Sequence, residues 1–366
     1  MGDGRYELGT RLGEGARKIV YRGTDTRLGR EVAVALIKTD GLDENGRARV
    51  QREARAMARL GDHPHVVAVL DVGEEDGQPF IVSQLLSGGS LDERLAEEDG
   101  SGLPIEDALR VGAQVADGLA NAHRQGVVHR DVKPANIWFD GGGSALLGDF
   151  GLAHVEDESR LTTEGMIVGT ASYLAPEVAV GGTADARSDL YALGAVLYEL
   201  VTGAPPFVGD LTEVVSQHIN TPPIDPAFRN PKVPQALDQL VRDLLAKDAV
   251  ARPESAEQVA ALLGSVAPAA AAAAETPAAA ATPVPLDARF VGRKQQMDKL
   301  RTVLEEMLSG RARLALVAGE PGVGKTTTVE QLTAEAKVRG CEVLWGRSYD
   351  GEIGAPYLAF VECFRT

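Results

Sequence analysis

Cysteine is nearly missing from this chain: Cys341 and Cys363 are the two in 366 residues, and they share no metal-ligand spacing. No disulfide framework can be built from them, and two reduced thiols are the plain reading. Long apolar runs are missing too. No stretch approaches the roughly 20 residues of a membrane-spanning helix, and the start Met1-Gly2-Asp3-Gly4 lacks the charged and then apolar pattern of a secretory signal. Positive charge is in deficit, with 37 Lys and Arg against 53 Asp and Glu and a formal net charge of -16. Nucleic acid and anionic membrane both want clustered cations, so neither is expected as a partner, and a cytoplasmic location is expected. What is present suits a globular protein, with 44% apolar and 25% charged residues over a length that fits two domains.

Between Ser265 and Pro285 the composition collapses to Ala, Pro and Thr, too poor in large apolar side chains to pack a core. Residues 265–285 therefore read as a linker between a block at 1–264 and another at 286–366. Pro268, Pro277, Pro283 and Pro285 interrupt any long helix there, so a semi-extended tether is expected. In the first block, alternating β-branched stretches at Tyr6 to Leu12, Ile19 to Gly23, Glu31 to Ile37, Val66 to Val72 and Phe80 to Leu85 predict a small antiparallel sheet. One helix, about Asp43 to Leu60, interrupts them. Later the period changes to 3.6: Ala108, Val111, Val115, Leu119 and Ala122 form one stripe, and Leu190, Leu193, Val196, Leu197 and Leu200 another. A sheet-rich small lobe at about 6–86 and a helical large lobe at about 87–264 follow, with a cleft between them suited to a small molecule.

The large lobe carries His129-Arg130-Asp131-Val132-Lys133-Pro134-Ala135-Asn136, then Asp149-Phe150-Gly151, then Ala175-Pro176-Glu177. Phosphoryl transfer needs a nucleophile aimed in line and charge placed against phosphate oxygens. A carboxylate, an ammonium and two hard oxygen ligands at this spacing offer both. The ordered set resembles the signature of bacterial eukaryotic-like serine/threonine protein kinases, over about residues 6 to 264. The resemblance implies a two-lobed α+β protein kinase fold, with ATP and Mg²⁺ as cofactors and protein hydroxyls as acceptors. By it, Asp131 orients the acceptor hydroxyl and takes its proton, Lys133 lies against the transferred phosphate, and Asn136 and Asp149 hold Mg²⁺. It places Leu12, Gly13, Gly15, Val20, Ala33, Gln84 and Leu86 around ATP. It also puts Arg252 where an arginine pairs with Glu177, and makes Thr162 and Thr163 phosphosite candidates, with Arg130 as a cation to hold the phosphate.

One residue of that pattern is missing. The strand expected to bring a lysine to the α- and β-phosphates reads Val32-Ala33-Val34-Ala35. The hairpin Gly13-Glu14-Gly15-Ala16-Arg17-Lys18-Ile19-Val20 has meanwhile exchanged its third glycine for Lys18. Strand side chains alternate with period 2, so Lys18 faces the way Val20 does, toward the nucleotide, whereas Lys38 faces away. This placement resembles the with-no-lysine kinases, in which the loop lysine substitutes for the strand lysine, and Glu53 becomes the expected ion-pair partner of Lys18. A compact ammonium on a flexible stem suits that task. The rival reading is a pseudokinase, a nucleotide-binding module that signals without transferring phosphate. A small-molecule kinase fits less well, because the long segment from Gly151 to Glu177 resembles a peptide platform.

In the second block, Gly319-Glu320-Pro321-Gly322-Val323-Gly324-Lys325-Thr326 matches the phosphate-binding P-loop pattern. Leu314 to Val317 predicts a buried strand before it and Thr326 to Arg339 a helix after it, so the glycines form a turn at a helix N-terminus. Gly319, Gly324, Lys325 and Thr326 are the expected second nucleotide site. Phe290-Val291-Gly292-Arg293 resembles the leading motif of AAA-like and related signalling ATPases. No apolar strand ending in aspartate follows, so a partial α/β P-loop NTPase segment is expected, able to bind nucleotide without hydrolysing it. Two such blocks on one chain leave room for contact between them.

Overall fold

The run Val32-Ala33-Val34-Ala35 lies mid-sheet because its two faces bury against different cores. The computed structural model describes residues 1–15, 18–38, 57–98, 100–150, 171–275, 294–308, 314–317 and scattered positions between 328 and 344. Strands β1 (Tyr6–Glu14), β2 (Lys18–Asp25), β3 (Arg30–Ile37), β4 (Val69–Glu75) and β5 (Gln78–Gln84) form an antiparallel sheet ordered β1-β2-β3-β5-β4. Val32 and Val34 pack with Tyr6, Phe80 and Val82 on the outer face. Ile37 and Ile81, with Ala35 against them, belong to the main core on the inner face. Period-2 alternation thus builds both layers. Strands β4 and β5 are joined by Asp76-Gly77, with φ of 52° and 77°, the conformation a two-residue hairpin turn requires.

The expected strand from Val66 to Val72 begins instead at Val69. Val66 bridges Leu147, and the Val67 amide donates to the Leu147 carbonyl at 3.0 Å, so these residues join the large lobe. The expected helix ending at Leu60 is described only from residue 57, where residues 57–59 are helical.

In the large lobe, α1 (Leu91–Glu97) precedes α2 (Ile105–Arg124), whose stripe of Ala108, Val111, Val115, Leu119 and Ala122 is buried. The hairpin of β6 (Ile137–Phe139) and β7 (Ala145–Leu147) follows. Beyond it come α3 (Pro176–Ala179), α4 (Ala186–Thr202), α5 (Leu211–Asn220), α6 (Pro226–Arg229) and α7 (Gln235–Leu244). Helix α4 is buried on nearly every side, as a helix apolar all round must be. Asp185 caps its start, accepting the Arg187 and Ser188 amides at 2.8 and 3.1 Å. Gly203 ends it at φ 80°, where a Cβ would also lie 1.8 Å from the Gly100 carbonyl oxygen.

Helix α8 (Ala256–Glu275) corrects the linker reading. It continues to Glu275, and Val266, beyond the expected boundary at 264, is buried in the main core. Alanine is the strongest helix former, and its run here outweighs the single amide bond that Pro268 cannot make. The chain divides into two compact units, Met1–Pro277 and Ala278–Thr366. In the second, α9 (Lys294–Leu308) buries Met297, Leu300 and Leu304 at helical spacing. Residues 328, 329, 332, 333 and 336 are helical, within the expected Thr326 to Arg339 helix. Leu314 to Val317 is not the buried strand expected: Leu314 and Leu316 are 96% and 90% exposed. A strand exists only by pairing, and among the described residues of this unit no second strand stands beside it. No helix among the described residues is long and apolar enough to cross a membrane.

Candidate active site

The loop after α2 is held by backbone and buried groups before any of its side chains act. Asp189, near the start of α4 and 1% exposed, accepts the His129 amide on Oδ2 at 2.8 Å and the Arg130 amide on Oδ1 at 2.7 Å. His123 Nε2 meets the same Oδ2 at 2.8 Å. His129 is fully buried against the Phe150 ring, with centroids 4.5 Å apart. Its Nε2 donates to the Gly148 carbonyl at 2.7 Å, which leaves Nδ1 to accept the Asp131 amide at 3.2 Å. One imidazole thereby ties the loop bearing Asp131 to the segment bearing Asp149. The Gly148 amide donates to the Asn136 carbonyl at 2.9 Å and closes the tie from the other side.

On this frame Asp131 Oδ2 receives the Lys133 ammonium at 2.8 Å and Asn136 Nδ2 at 3.0 Å. Asn136 Nδ2 also donates to the Asp131 carbonyl at 2.7 Å, which leaves the amide oxygen as the end open to a cation. Arg130 and Asp149 adopt left-handed φ of 69° and 61°, conformations that non-glycine residues hold only when their surroundings impose them. The large-lobe residues Asp131, Lys133, Asn136 and Asp149 are thus assembled at one place.

Lys18 crosses the cleft. Its ammonium forms an ion pair with Asp149 Oδ1, with the two side chains 22% and 32% exposed. Val20 lies opposite Ala35 and Lys18 opposite Ile37 in the β2–β3 ladder, and directly paired strand residues share a face. Lys38 goes the other way, donating to Glu14 Oε1 at 2.6 Å and to the Gly15 carbonyl at 3.0 Å. Hydrogen bonding by Lys38, then the Arg11 charge, holds the Glu14 carboxyl below the usual carboxylate range.

Of the residues expected around ATP, Leu12 is 52% exposed on β1, while Val20 and Ala33 are half-buried on the inner face. Gln84 is turned toward the residue before β4: its backbone N–H donates to the Ala68 carbonyl at 3.0 Å and its side-chain Oε1 accepts the Ala68 backbone N–H at 3.0 Å. Gly13 pairs with Val20, and the Gly15 amide donates to the Lys18 carbonyl at 2.9 Å. Leu86 follows the end of β5 and is half-buried. Glu53, Thr162, Thr163, Gly319, Gly324, Lys325 and Thr326 lie outside the described residues.

Below the loop, Arg252 forks onto Glu177 at 2.8 and 2.7 Å, and the Ser188 hydroxyl donates to Glu177 at 2.7 Å. Burial raises the Glu177 carboxyl, but these donors outweigh it and leave it below the usual range. Tyr173 donates to Glu199 at 2.5 Å, and burial pushes both groups upward. Sequence reasoning assigned no task to Asp189, His129, Tyr173 or Glu199. Apart from the Asp131 amide that His129 accepts, their partners lie well away along the chain, and no local spacing announces those pairings.

A family model described as the protein kinase domain matches residues 6–262, and one described as the AAA ATPase domain matches residues 289–366. Over 256 residues the chain is 47% identical to the DNA damage-responsive serine/threonine-protein kinase RqkA of Deinococcus radiodurans, covering 69% of this chain and 38% of that protein. Over 264 residues it is 40% identical to the serine/threonine-protein kinase PknB of Mycobacterium leprae, covering 70% of this chain and 41% of that protein. The chain therefore spans about two fifths of the length of these curated relatives. Among solved structures, the Mycobacterium tuberculosis PknI kinase domain aligns with a TM-score of 0.59 at 29% identity, covering 72% of this chain and 96% of that one.

Proposed function

Because this chain belongs to the protein kinase family over residues 6–262, we propose that it transfers the γ-phosphoryl group of ATP to serine or threonine hydroxyls of proteins, with Lys18 serving in place of the strand lysine absent at Ala35. The observation that carries this reading is the ion pair between Lys18 and Asp149, which brings a small-lobe amine to the carboxylate of the large-lobe site. Asp131 orients the acceptor hydroxyl and takes its proton. Its own orientation is preset by Lys133 and Asn136. Lys133 offers its charge beside the hydroxyl, where the transferred group arrives.

ATP and Mg²⁺ are the family's cofactors. Asn136 and Asp149 fit the ion, since the Asn136 amide has its nitrogen end engaged with Asp131 and its hard oxygen end open, and Asp149 supplies a carboxylate. Bound there, magnesium offsets charge on the phosphate oxygens. The Lys18 amine, now on Asp149, is within a side-chain rotation of the same region and pairs with phosphate once nucleotide enters. We assign residues 1–264 to the kinase, with α8 continuing past that boundary, and 286–366 to a second nucleotide-binding segment resting on Gly319, Gly324, Lys325 and Thr326.

The test is γ-labelled ATP with a basic protein acceptor, comparing the chain with Asp131→Asn, Lys18→Met and the double variant Lys18→Gly, Ala35→Lys. Transfer is expected to fall by about 10³-fold or more in the first two and to recover in part in the third, where the cation returns to β3. Full activity in Lys18→Met would overturn the Lys18 assignment. Nucleotide binding with no transfer by the unaltered chain would replace the enzyme with a signalling module.

A further inference from the structure

Resting on the assignment of Lys18 above, we propose that Lys38 is a positioning residue for phosphoryl transfer: it fastens the tip of the glycine-rich hairpin from behind and so sets where the Lys18 amine is delivered. A cation on β3 at position 35 would need no such help. Ala35 lies mid-strand, laddered to Val20 on one side and Ile81 on the other. Lys18, by contrast, is the first residue of β2, at the hairpin's turn end. Moving the cation from mid-strand to the end of β2 leaves it a ladder partner on one side, Ile37, where position 35 has two.

The first strand of the hairpin has little packing of its own. After Tyr6, every residue of β1 is exposed, so no apolar underside anchors the tip. Strand β2 is laddered to β3 along its length, so β1, at the sheet edge, is the strand of the hairpin held by least. A misplacement of about 1 Å in a reacting group costs on the order of 10²-fold in rate. Something must hold the tip, and the structure supplies it.

Lys38 donates both to the Glu14 carboxylate at 2.6 Å and to the Gly15 carbonyl at 3.0 Å. The Gly15 amide then donates to the Lys18 carbonyl at 2.9 Å. Two consecutive bonds through one glycine therefore connect the Lys38 amine to the Lys18 backbone. Register explains how the amine arrives there. Glu14, Ile19 and Leu36 are successive ladder partners across β1, β2 and β3, and they share the face turned from the cleft. Lys38, two residues past Leu36, belongs to that face, and its stem crosses behind β2 to reach β1. On the opposite face Lys18 is paired with Ile37, the residue before Lys38. One end of β3 thus grips the hairpin twice, by ladder and by side chain. Arg11 at 2.7 Å is a second cation on Glu14, but it sits on the same strand as its partner and ties nothing across the sheet.

The experiment measures kcat and KM for ATP, nucleotide affinity and thermal midpoint in Lys38→Met, Lys38→Arg and Glu14→Gln, and nucleotide affinity again in a Lys18→Met background. Loss of one partly exposed pair and one backbone bond is expected to lower kcat/KM for ATP about five- to ten-fold in Lys38→Met. The thermal midpoint should hold, Lys38→Arg should recover most of the loss, and Glu14→Gln should fall between. Amide exchange at residues 8–15 and 18–20 should quicken. In the Lys18→Met background, Lys38→Met should change nucleotide affinity no further, since there is no amine left to place. Unchanged kinetics in Lys38→Met, or the same fold loss with and without Lys18, would overturn the proposal while leaving the Lys18 assignment intact. Full activity in Lys18→Met would remove both.

Discussion

The two halves of the site are held by opposite means. The loop bearing Asp131 is fixed by groups withdrawn from water: Asp189 at 1% exposure, His129 at 0%, and the Gly148 backbone. The hairpin bearing Lys18 is laddered to β3 through its backbone, and its tip is tied by side chains that stay wet: Glu14 at 34%, Lys38 at 29% and Lys18 itself at 22%. Buried hydrogen bonds are worth most when lost, because the orphaned partner keeps its desolvation penalty. Exposed ion pairs contribute little to stability, and what they supply is geometry. The large-lobe loop is therefore held by buried bonds, and the Lys18 ammonium of the small lobe by partly exposed ones. The general lesson is that stability and placement are separable, and this fold keeps them in different lobes.

The sharpest attempt to break that contrast removes Asp189. Asp189→Ala leaves the His129 and Arg130 amides without their acceptor, at about 1–3 kcal/mol each. Urea unfolding should show a loss of about 2–6 kcal/mol, and kcat should fall on the order of 10²-fold as Asp131 loosens. A loss under about 1 kcal/mol with kcat intact would mean that the buried frame is dispensable.

A smaller effect should come from His218, packed on α5 between Tyr191 and Phe207 and near the Lys247 ammonium. Burial, reinforced by Lys247, lowers its imidazole from 6.5 to about 4. Between those values the unfolded chain binds a proton that the folded one does not, so stability is fully present above pH 6.5 and is lost as pH falls toward 4. From pH 6.5 to 5 the loss from this group should be about 2 kcal/mol. His218→Gln should flatten that part of the profile, by urea unfolding at both pH values in both proteins. Parallel profiles would show that this buried support does not titrate as described.

The smallest effect should come from Arg11→Ala, which removes the exposed partner of Glu14 while sparing Lys38. Less than about a two-fold change in KM for ATP is expected. A larger change would show that the general charge of the hairpin matters, and not the cross-sheet grip.

Much of this could be read from residue order. The motif residues Asp131, Lys133, Asn136 and Asp149 meet because short stretches carry them, and the small sheet follows from alternating β-branched residues. Period-2 parity was enough to send Lys18 and Lys38 to opposite faces. It could not say that Glu14 waits on the outer face, since that depends on the β1–β2 register. Nor could it find Asp189 beneath His129 and Arg130, about sixty residues away in sequence. Two local readings were overruled by context. Val66 left the small sheet because β7 offered it a partner, and α8 ran past Ser265 because the core received Val266. Leu314 to Val317 had the composition of a strand but, among the described residues, nothing to pair with.

The order of residues by itself determined the two-lobed fold and the residues the site has to work with, including an alanine at position 35 and a lysine at position 18, because each is written in a local pattern or period. Tertiary structure alone decided which groups restrain that chemistry. The carboxylate under the loop bearing Asp131, the imidazole joining that loop to Gly148 and the amine behind the hairpin all have long-range partners. Their identity depends on how sheets register and helices pack, which no single stretch of chain contains.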